Sequence, residues 1–353
     1  MDAHLHFDAD LREKAKLPQW LRCPRCKGEL SARNEGLHCG ACQRAYPVVL
    51  GIPDLRVYPD PYVSFEEDHF KGHQVQEQAA KLDFAGLLRF YWENVSLPPT
   101  PVDLRERFLR HVLTDEERIA SYTDQLGAGD AFLDVGCGAG ALLKVAHKKF
   151  GTLIGCDVAF RWLILARKRL EDAHLPANLV CCCADHLPFP EQSFDTVAAV
   201  SLLEHVDAAP AVLKDCARVT KGGGRIFVLT TNRFSIVPEP HVRVWGVGFL
   251  PRRWMPAYVK WRRGVAYERK HLLSIFEVRR SLKAAECDAL AFSLPAFAEV
   301  DLQHAGRLER MGAAVFSFLG KIPPIRRLLL RISPVIQVLA TRGNRGSKAG
   351  ETL

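Results

Sequence analysis

The stretch Ala131-Phe132-Leu133-Asp134-Val135-Gly136-Cys137-Gly138-Ala139-Gly140-Ala141-Leu142-Leu143 decides how this chain is read. An apolar run enters a turn with glycine at every second position, and apolar helix formers follow it. A strand, a tight turn and a helix are predicted in that order. Glycines let a backbone approach a ligand where any side chain would block it. The fingerprint for a dinucleotide is G-x-G-x-x-G, whereas the spacing here is G-x-G-x-G. Asp134 stands two residues before the first glycine. An acid at that place suits a cationic ligand group better than a pyrophosphate.

Downstream, Leu153-Ile-Gly-Cys-Asp157-Val reads as a second strand ending in an acid. A carboxylate there can accept from two adjacent hydroxyls; the alternative is a cap on a helix starting at Ala159 or Phe160. Next come Ala184-Asp185-His186-Leu-Pro-Phe-Pro-Glu-Gln-Ser-Phe194-Asp195 and a strand over 196–203, ending in Glu204-His205-Val206. A helix over 210–219, a turn at Gly222-Gly-Gly224 and a strand over 225–230 follow. Ser274-Ile-Phe-Glu277 is a capping box opening a helix, and strands are expected at 288–292 and 333–341. These ordered segments, over about 130–232, resemble the class I methyltransferases that use S-adenosylmethionine (SAM). Their first motif is a strand followed by D-x-G-x-G-x-G. The phrase at 185–195 is similar to that of the type 11 subfamily, which includes quinone-biosynthesis enzymes. The resemblance implies an α/β, Rossmann-like seven-stranded methyltransferase domain, with the last strand antiparallel. It implies that Asp134 lies near the methionine end of SAM and that Gly136, Gly138 and Gly140 form the floor beneath it. It further implies that Asp157 holds the ribose hydroxyls and Asp185 the adenine amino group. His186 would line the adenine through its backbone, and backbone near Ser201 would face the methionine. Asp195 is expected to be structural.

Toward the N-terminus, Cys23-Pro-Arg-Cys26 and Cys39-Gly-Ala-Cys42 stand twelve residues apart. Two C-x2-C knuckles suit a tetrahedral thiolate site with zinc as the usual occupant. Gly28, just past the first knuckle, and Gly40, within the second, are expected to make the tight turns. So small a segment depends on metal for its folding energy. With Tyr46-Pro-Val-Val-Leu-Gly51-Ile-Pro53, it resembles the small zinc-ribbon proteins that bind and activate methyltransferases. The expected organisation is a zinc ribbon at 18–57, a linker with short helices at 58–101, the methyltransferase domain at 102–342 and a disordered tail at 343–353, the disorder beginning near Arg342. One helix is expected over 102–126, stopped by Gly127 and Gly129, with Trp92 and its aromatic neighbours as packing.

The start, Met1-Asp2-Ala3-His4-Leu5-His6, lacks a basic segment followed by an apolar run, and no apolar stretch has the length of a membrane span. A cytoplasmic protein is expected. Its remaining thiols (Cys137, Cys156, Cys181, Cys182, Cys183, Cys216, Cys287) read as small buried hydrophobes. The net charge is +8. Between Lys221 and Lys283 there are fourteen Lys or Arg against three Asp or Glu, a basic excess that suits an anionic partner or surface. It includes an insert at about 232–272, expected to build the substrate side as an ordered lid carrying His241. His205 and His241 are the candidate bases, and a catalytic base is not obligatory, because the sulfonium is already an activated leaving group. The basic, apolar stretch 311–332 reads as a helix packed on the sheet, with contact to a membrane surface as the alternative. The function expected is methyl transfer from SAM to a small-molecule or lipid-like acceptor. The alternatives are an RNA or protein substrate docked by ribbon and basic region, and a non-catalytic SAM-binding partner subunit.

Overall fold

Apolar strand segments separated by helical ones fold here into a twisted α/β layer structure, as alternating βα patterning dictates. The structure, a computed structural model, describes residues 20–33, 36–96, 102–303 and 305–344. Seven strands form one sheet: β5 (Gly129–Val135), β6 (Phe150–Asp157), β7 (Leu179–Cys181), β8 (Phe194–Val200), β9 (Thr220–Thr231), β10 (Cys287–Ser293) and β11 (Val335–Arg342). Their order is β10-β11-β9-β8-β5-β6-β7. The pairings among β5 to β9 are parallel, while β11 runs antiparallel to both β9 and β10. The chain leaves β5 toward β6 and β7, then returns to β8 on the other side. The crevice outside the ends of β5 and β8 is therefore the switch point where ligands of open α/β sheets bind.

Helices cover both faces. α1 (Phe65–Ala79), α2 (Phe84–Phe90), α3 (Val102–Leu113), α4 (Asp115–Ala120) and α5 (Thr123–Leu126) precede the sheet. α6 (Ala141–Ala146) follows β5 and α7 (Phe160–Asp172) follows β6; together with α1 to α4 they pack one face around Phe132, Phe160 and Leu163. α8 (Ala209–Val219) and α10 (Ile275–Ala284) pack the other, around Val197, Leu213 and Leu282. α9 (Met255–Arg263) lies in the insert, which has a small core of its own in Val242, Val244, Val247, Met255, Val259 and Tyr267. α11 (Glu299–Gln303), α12 (Arg307–Leu319) and α13 (Pro323–Ile332) lead into β11.

The ribbon is an antiparallel meander of β1 (Leu30–Arg33), β2 (Gly36–Cys39), β3 (Ala45–Val49) and β4 (Ile52–Pro53). It abuts the free edge of the large sheet. Asp54 bridges Cys181 in parallel, Leu55 N–H donates to the Cys181 carbonyl (2.7 Å), and Arg22 N–H donates to Pro188 (2.8 Å). Leu21, Leu37, Tyr46 and Leu55 share one core with Val180, Leu187 and Phe189. An exposed strand edge is an aggregation hazard, and the ribbon covers this one.

Several expectations change. Residues 65–79 are a fifteen-residue helix rather than a linker turn, capped by Ser64. That helix buries Asp68, Gly72 and Val75, so no apolar stripe announced it. The stretch 102–126 breaks into α3, α4 and α5, with Gly127 at φ +76° ending the last. At the knuckles the left-handed residues are Lys27 (φ 62°) and Gln43 (φ 59°), not the glycines. Gly28 matters for closeness instead, since a Cβ there would lie 3.3 Å from the Cys26 sulfur. Gly222–Gly224 lies inside β9, kinked at Gly223 (φ +74°). Arg342 belongs to β11, with its guanidinium on the carbonyls of Arg218 and Thr220. The rest of the expected tail, 345–353, lies outside the described residues. The capping box at Ser274 and Glu277 is present in both halves.

Candidate functional site

Three acids end up at the carboxyl ends of adjacent strands. Asp134 lies in the last turn of β5, 2% exposed. Burial, with the Asp157 carboxylate nearby, pushes it up to about 8. A carboxyl so placed favours its neutral form until a cation arrives. The turn after it takes Gly136, Gly138 and Gly140 through φ of +74°, +49° and +77°, a path that suits glycine. No atom lies within 4 Å of the space a Cβ on Gly138 would enter, so the floor there is open.

Asp157 ends β6. One oxygen accepts from Gly138 N–H (2.9 Å) and the other from Ala159 N–H (2.8 Å). It thus joins the glycine turn to the start of α7, the capping role weighed for it. Asp185 follows β7 and accepts from the Tyr58 hydroxyl and, at 3.0 Å, from His186 Nδ1. Both use Oδ1, which leaves Oδ2 for a ligand. Burial raises the Asp185 pKa, but Tyr58 and His186 outweigh it and hold the carboxyl below its ordinary value. The His186 backbone N–H is already given to the Cys183 carbonyl (3.0 Å), so it is not free in this arrangement. Ser201, just past β8, sits at φ +52°, a conformation rare for non-glycine residues and found where loops bend beside sites.

Beyond β8 the chain turns through Leu203–His205. Glu204 is pinned by the hydroxyls of Thr230 (2.7 Å) and Thr231 (2.9 Å), which fixes His205 at the mouth. The insert delivers His241 to the same place, its ring centroid 5.0 Å from that of His205 at an interplanar angle of 82°. Their hydrogen bonds engage Nδ1 of each ring with opposite partners, an ammonium and a carboxylate. Lys270 Nζ donates to His205 Nδ1 (3.0 Å), so the ring proton of His205 sits on Nε2. Burial and then the Lys270 ammonium push His205 down to about 3, keeping it neutral. Glu239, 5% exposed, accepts from His241 Nδ1 at 2.5 Å, which leaves Nε2 outside that bond. Glu204, His205 and His241 offer ligand atoms within 4.8 Å of one another. A cation there would face the Lys270 ammonium, and both Glu204 oxygens already accept hydrogen bonds.

The four ribbon cysteines converge as well, with all sulfurs within 4.8 Å of one another. Cys23 and Cys42 are 3.6 Å apart and Cys26 and Cys39 3.4 Å. Four thiols at such spacing fit a tetrahedral zinc ion.

The segment between ribbon and α1, which sequence reasoning left as a linker, crosses this end of the sheet. Tyr58 reaches Asp185, Asp60 reaches Arg161 (3.4 Å) and Tyr62 accepts from Lys270 (3.3 Å). Behind it lies a buried ionic joint. Asp68 accepts from Phe160 N–H (2.8 Å) and Arg161 N–H (3.2 Å), capping α7 from another helix. The same carboxylate takes Arg56 and Arg161, each at 2.7 Å. Arg56 also pairs with Asp54 at 2.9 and 2.5 Å, and His69 adds 2.7 Å. Burial pushes Asp54 up, but His69 and Arg56 outweigh it and hold it at about 2. The two tyrosines bracketing Pro59-Asp60-Pro61 and the Glu239-x-His241 spacing were visible in the sequence, but only the fold says what they face.

The family described as Methyltransferase domain matches residues 133–228, and the one described as Trm112p-like protein matches residues 14–51. The ubiquinone biosynthesis O-methyltransferase of Idiomarina loihiensis is 34% identical over 134 residues, 36% of this chain and 55% of that protein. Its Parvibaculum lavamentivorans counterpart is 29% identical over 155 residues, 42% and 58%. The chain spans about half the length of the curated relatives it matches. Among solved structures, a chain from the complex of the Haloferax volcanii Trm112 methyltransferase activator with a candidate methyltransferase is 15% identical. It covers 69% of this chain and 97% of that one, at a TM-score of 0.45. The glycine turn and the three strand-end acids fall inside the first of these family matches and the four-cysteine cluster inside the second: this chain carries a class I SAM-dependent methyltransferase domain joined to a Trm112p-like zinc ribbon.

Proposed function

We propose that the protein transfers the methyl group of SAM to a hydroxyl of a small, apolar, lipid-like acceptor. The observation that carries this reading is the Glu239–His241 pair, with Nε2 outside the bond to Glu239, standing beside the switch point that holds Asp134 and the glycine turn. Asp134 takes the methionine ammonium, and Gly136, Gly138 and Gly140 lie beneath the chain of the amino acid. Asp157 receives the ribose hydroxyls, Asp185 Oδ2 the adenine amino group, and the bend at Ser201 borders the methionine. The acceptor oxygen attacks the methyl carbon in line. The new C–O bond forms as the C–S bond breaks, sulfur keeps the electron pair as a neutral thioether, and the acceptor proton passes to His241 Nε2. Alignment and exclusion of water supply most of the rate, and a positioned base adds roughly 10²–10⁴-fold. The O-methyltransferase relatives support the oxygen acceptor.

The test is transfer of labelled methyl from SAM into a cell extract divided into organic-soluble, RNA and protein fractions. Label is expected in the organic fraction, falling roughly 10²–10⁴-fold in kcat with His241→Ala while SAM affinity stays within about twofold. Label in RNA or protein would replace the acceptor class. Labelling untouched by His241→Ala would remove the histidine from the chemistry.

A further inference from the structure

We propose that the α12–α13 hairpin rests on an anionic lipid bilayer and sets the mouth of the site beside it. This goes beyond the acceptor reading and stands without it. α12 is an amphipathic helix with no buried residue. Leu308, Met311, Val315 and Phe318 recur at spacings of three and four residues, and Ile322 continues the row past the helix end. All five are exposed, from 37% at Ile322 to 81% at Leu308. The row is one continuous apolar stripe, where a soluble helix shows its polar side. The opposite face holds the helix to the body: the Phe316 ring meets Phe297 at 5.7 Å, and a Cβ on Gly320 would fall 2.7 Å from Leu294. The expected packing of 311–332 on the sheet is thus carried by that inner side and, in α13, by buried Leu329 and partly buried Leu330.

The charges beside the stripe identify its occupant. Residues 307–332 hold six basic residues, Arg307, Arg310, Lys321, Arg326, Arg327 and Arg331, against one acid, Glu309. A second copy seated on the stripe through a two-fold axis would set these cations against their own equivalents. A bilayer with anionic headgroups accepts both components, the apolar row at the acyl boundary and the cations at the headgroups. The hairpin also lies near the chemistry. Arg243, two residues after His241, reaches Glu309 in the first turn of α12 at 3.9 Å.

The test is cosedimentation of the full chain with vesicles of phosphatidylcholine mixed with phosphatidylglycerol, against pure phosphatidylcholine, without SAM or acceptor. Binding is expected to the mixed vesicles only, weakened by salt and lost in the double variant Val315→Glu, Phe318→Glu. Both side chains face solvent, and an unchanged melting temperature of the variant confirms that it folds. Absence of binding to the mixed vesicles, or equal binding by the variant, would overturn the proposal. So would a concentration-dependent dimer abolished by the same variant without vesicle binding, or retention on RNA insensitive to it. Because no turnover is measured, these outcomes are independent of the acceptor reading.

Discussion

Two regions of this molecule bury carboxylates, and they treat them oppositely. At the joint between ribbon and sheet, Asp54 and Asp68 are saturated by Arg56, Arg161, His69 and three backbone amides. At the switch point, Asp134 has no cation beside it among the described residues, and burial pushes its pKa to about 8. A buried charge that the protein itself satisfies fixes structure. One left for something else to satisfy marks where a charged ligand enters. The contrast separates residues that hold the site together from residues that use it, even though both sets are acidic and both lie near the same strand ends.

The ribbon side should give the largest effect. Cys39→Ser is expected to release the metal and cost on the order of 5 kcal/mol or more, part of the ~10–16 kcal/mol that structural zinc supplies to small domains. Because Leu21, Tyr46 and Leu55 belong to the core of the sheet, the loss should appear in the main unfolding transition and not in a separate one. Metal content and a calorimetric trace check this, and two independent transitions would show that ribbon and sheet are not one unit. Next comes Asp68→Asn, which withdraws the shared counter-charge of two buried arginines. A loss of about 3–5 kcal/mol is expected in urea unfolding, with SAM affinity changed far less.

On the other side of the comparison, Asp134→Asn should weaken SAM by about 2–4 kcal/mol, roughly 30- to 1000-fold by calorimetry. Its effect on stability has the reverse sign. The folded pKa of Asp134 is raised, so the stability it contributes is fullest below its ordinary pKa and is lost as pH rises through about 8. Without ligand, the wild-type melting temperature should therefore fall relative to Asp134→Asn as pH rises from about 4 to 8. A constant difference across that range would contradict the unpaired carboxyl. Smallest is Tyr58→Phe, which removes one donor to Asp185 and should weaken SAM by about 1 kcal/mol, less than tenfold.

Legibility in the sequence followed the same division. The glycine turn, the strand-end acids and the paired knuckles could be read because backbone approach and metal geometry restrict residue type at fixed spacing. The seven strands and their antiparallel last member followed from the same ordered motifs. The joint could not be read. α1 carries Asp68 and Gly72 where a helix normally shows apolar side chains, Gly72 because a Cβ there would lie 2.6 Å from the Phe160 ring. Its partners Arg56 and Arg161 are 12 and 93 residues away. The partners of His205 and His241 were equally hidden, since Lys270 and Glu239 reach the two rings from different places in the chain. The outer face of α12 is unread for another reason: a period of 3.6 announces an apolar face without saying whether protein or lipid covers it.

The most direct measurement is the thermal shift produced by S-adenosylhomocysteine on wild type, Asp68→Asn and Asp134→Asn in parallel. Saturating ligand at about 100 times Kd stabilises by about 2.7 kcal/mol. Asp68→Asn should melt well below wild type yet keep that ligand-induced shift, while Asp134→Asn should melt at or above wild type and lose it. A destabilised Asp134→Asn that still responds fully to ligand, or an Asp68→Asn of wild-type stability that no longer responds, would contradict the division between charges that build the fold and charges that await a cofactor.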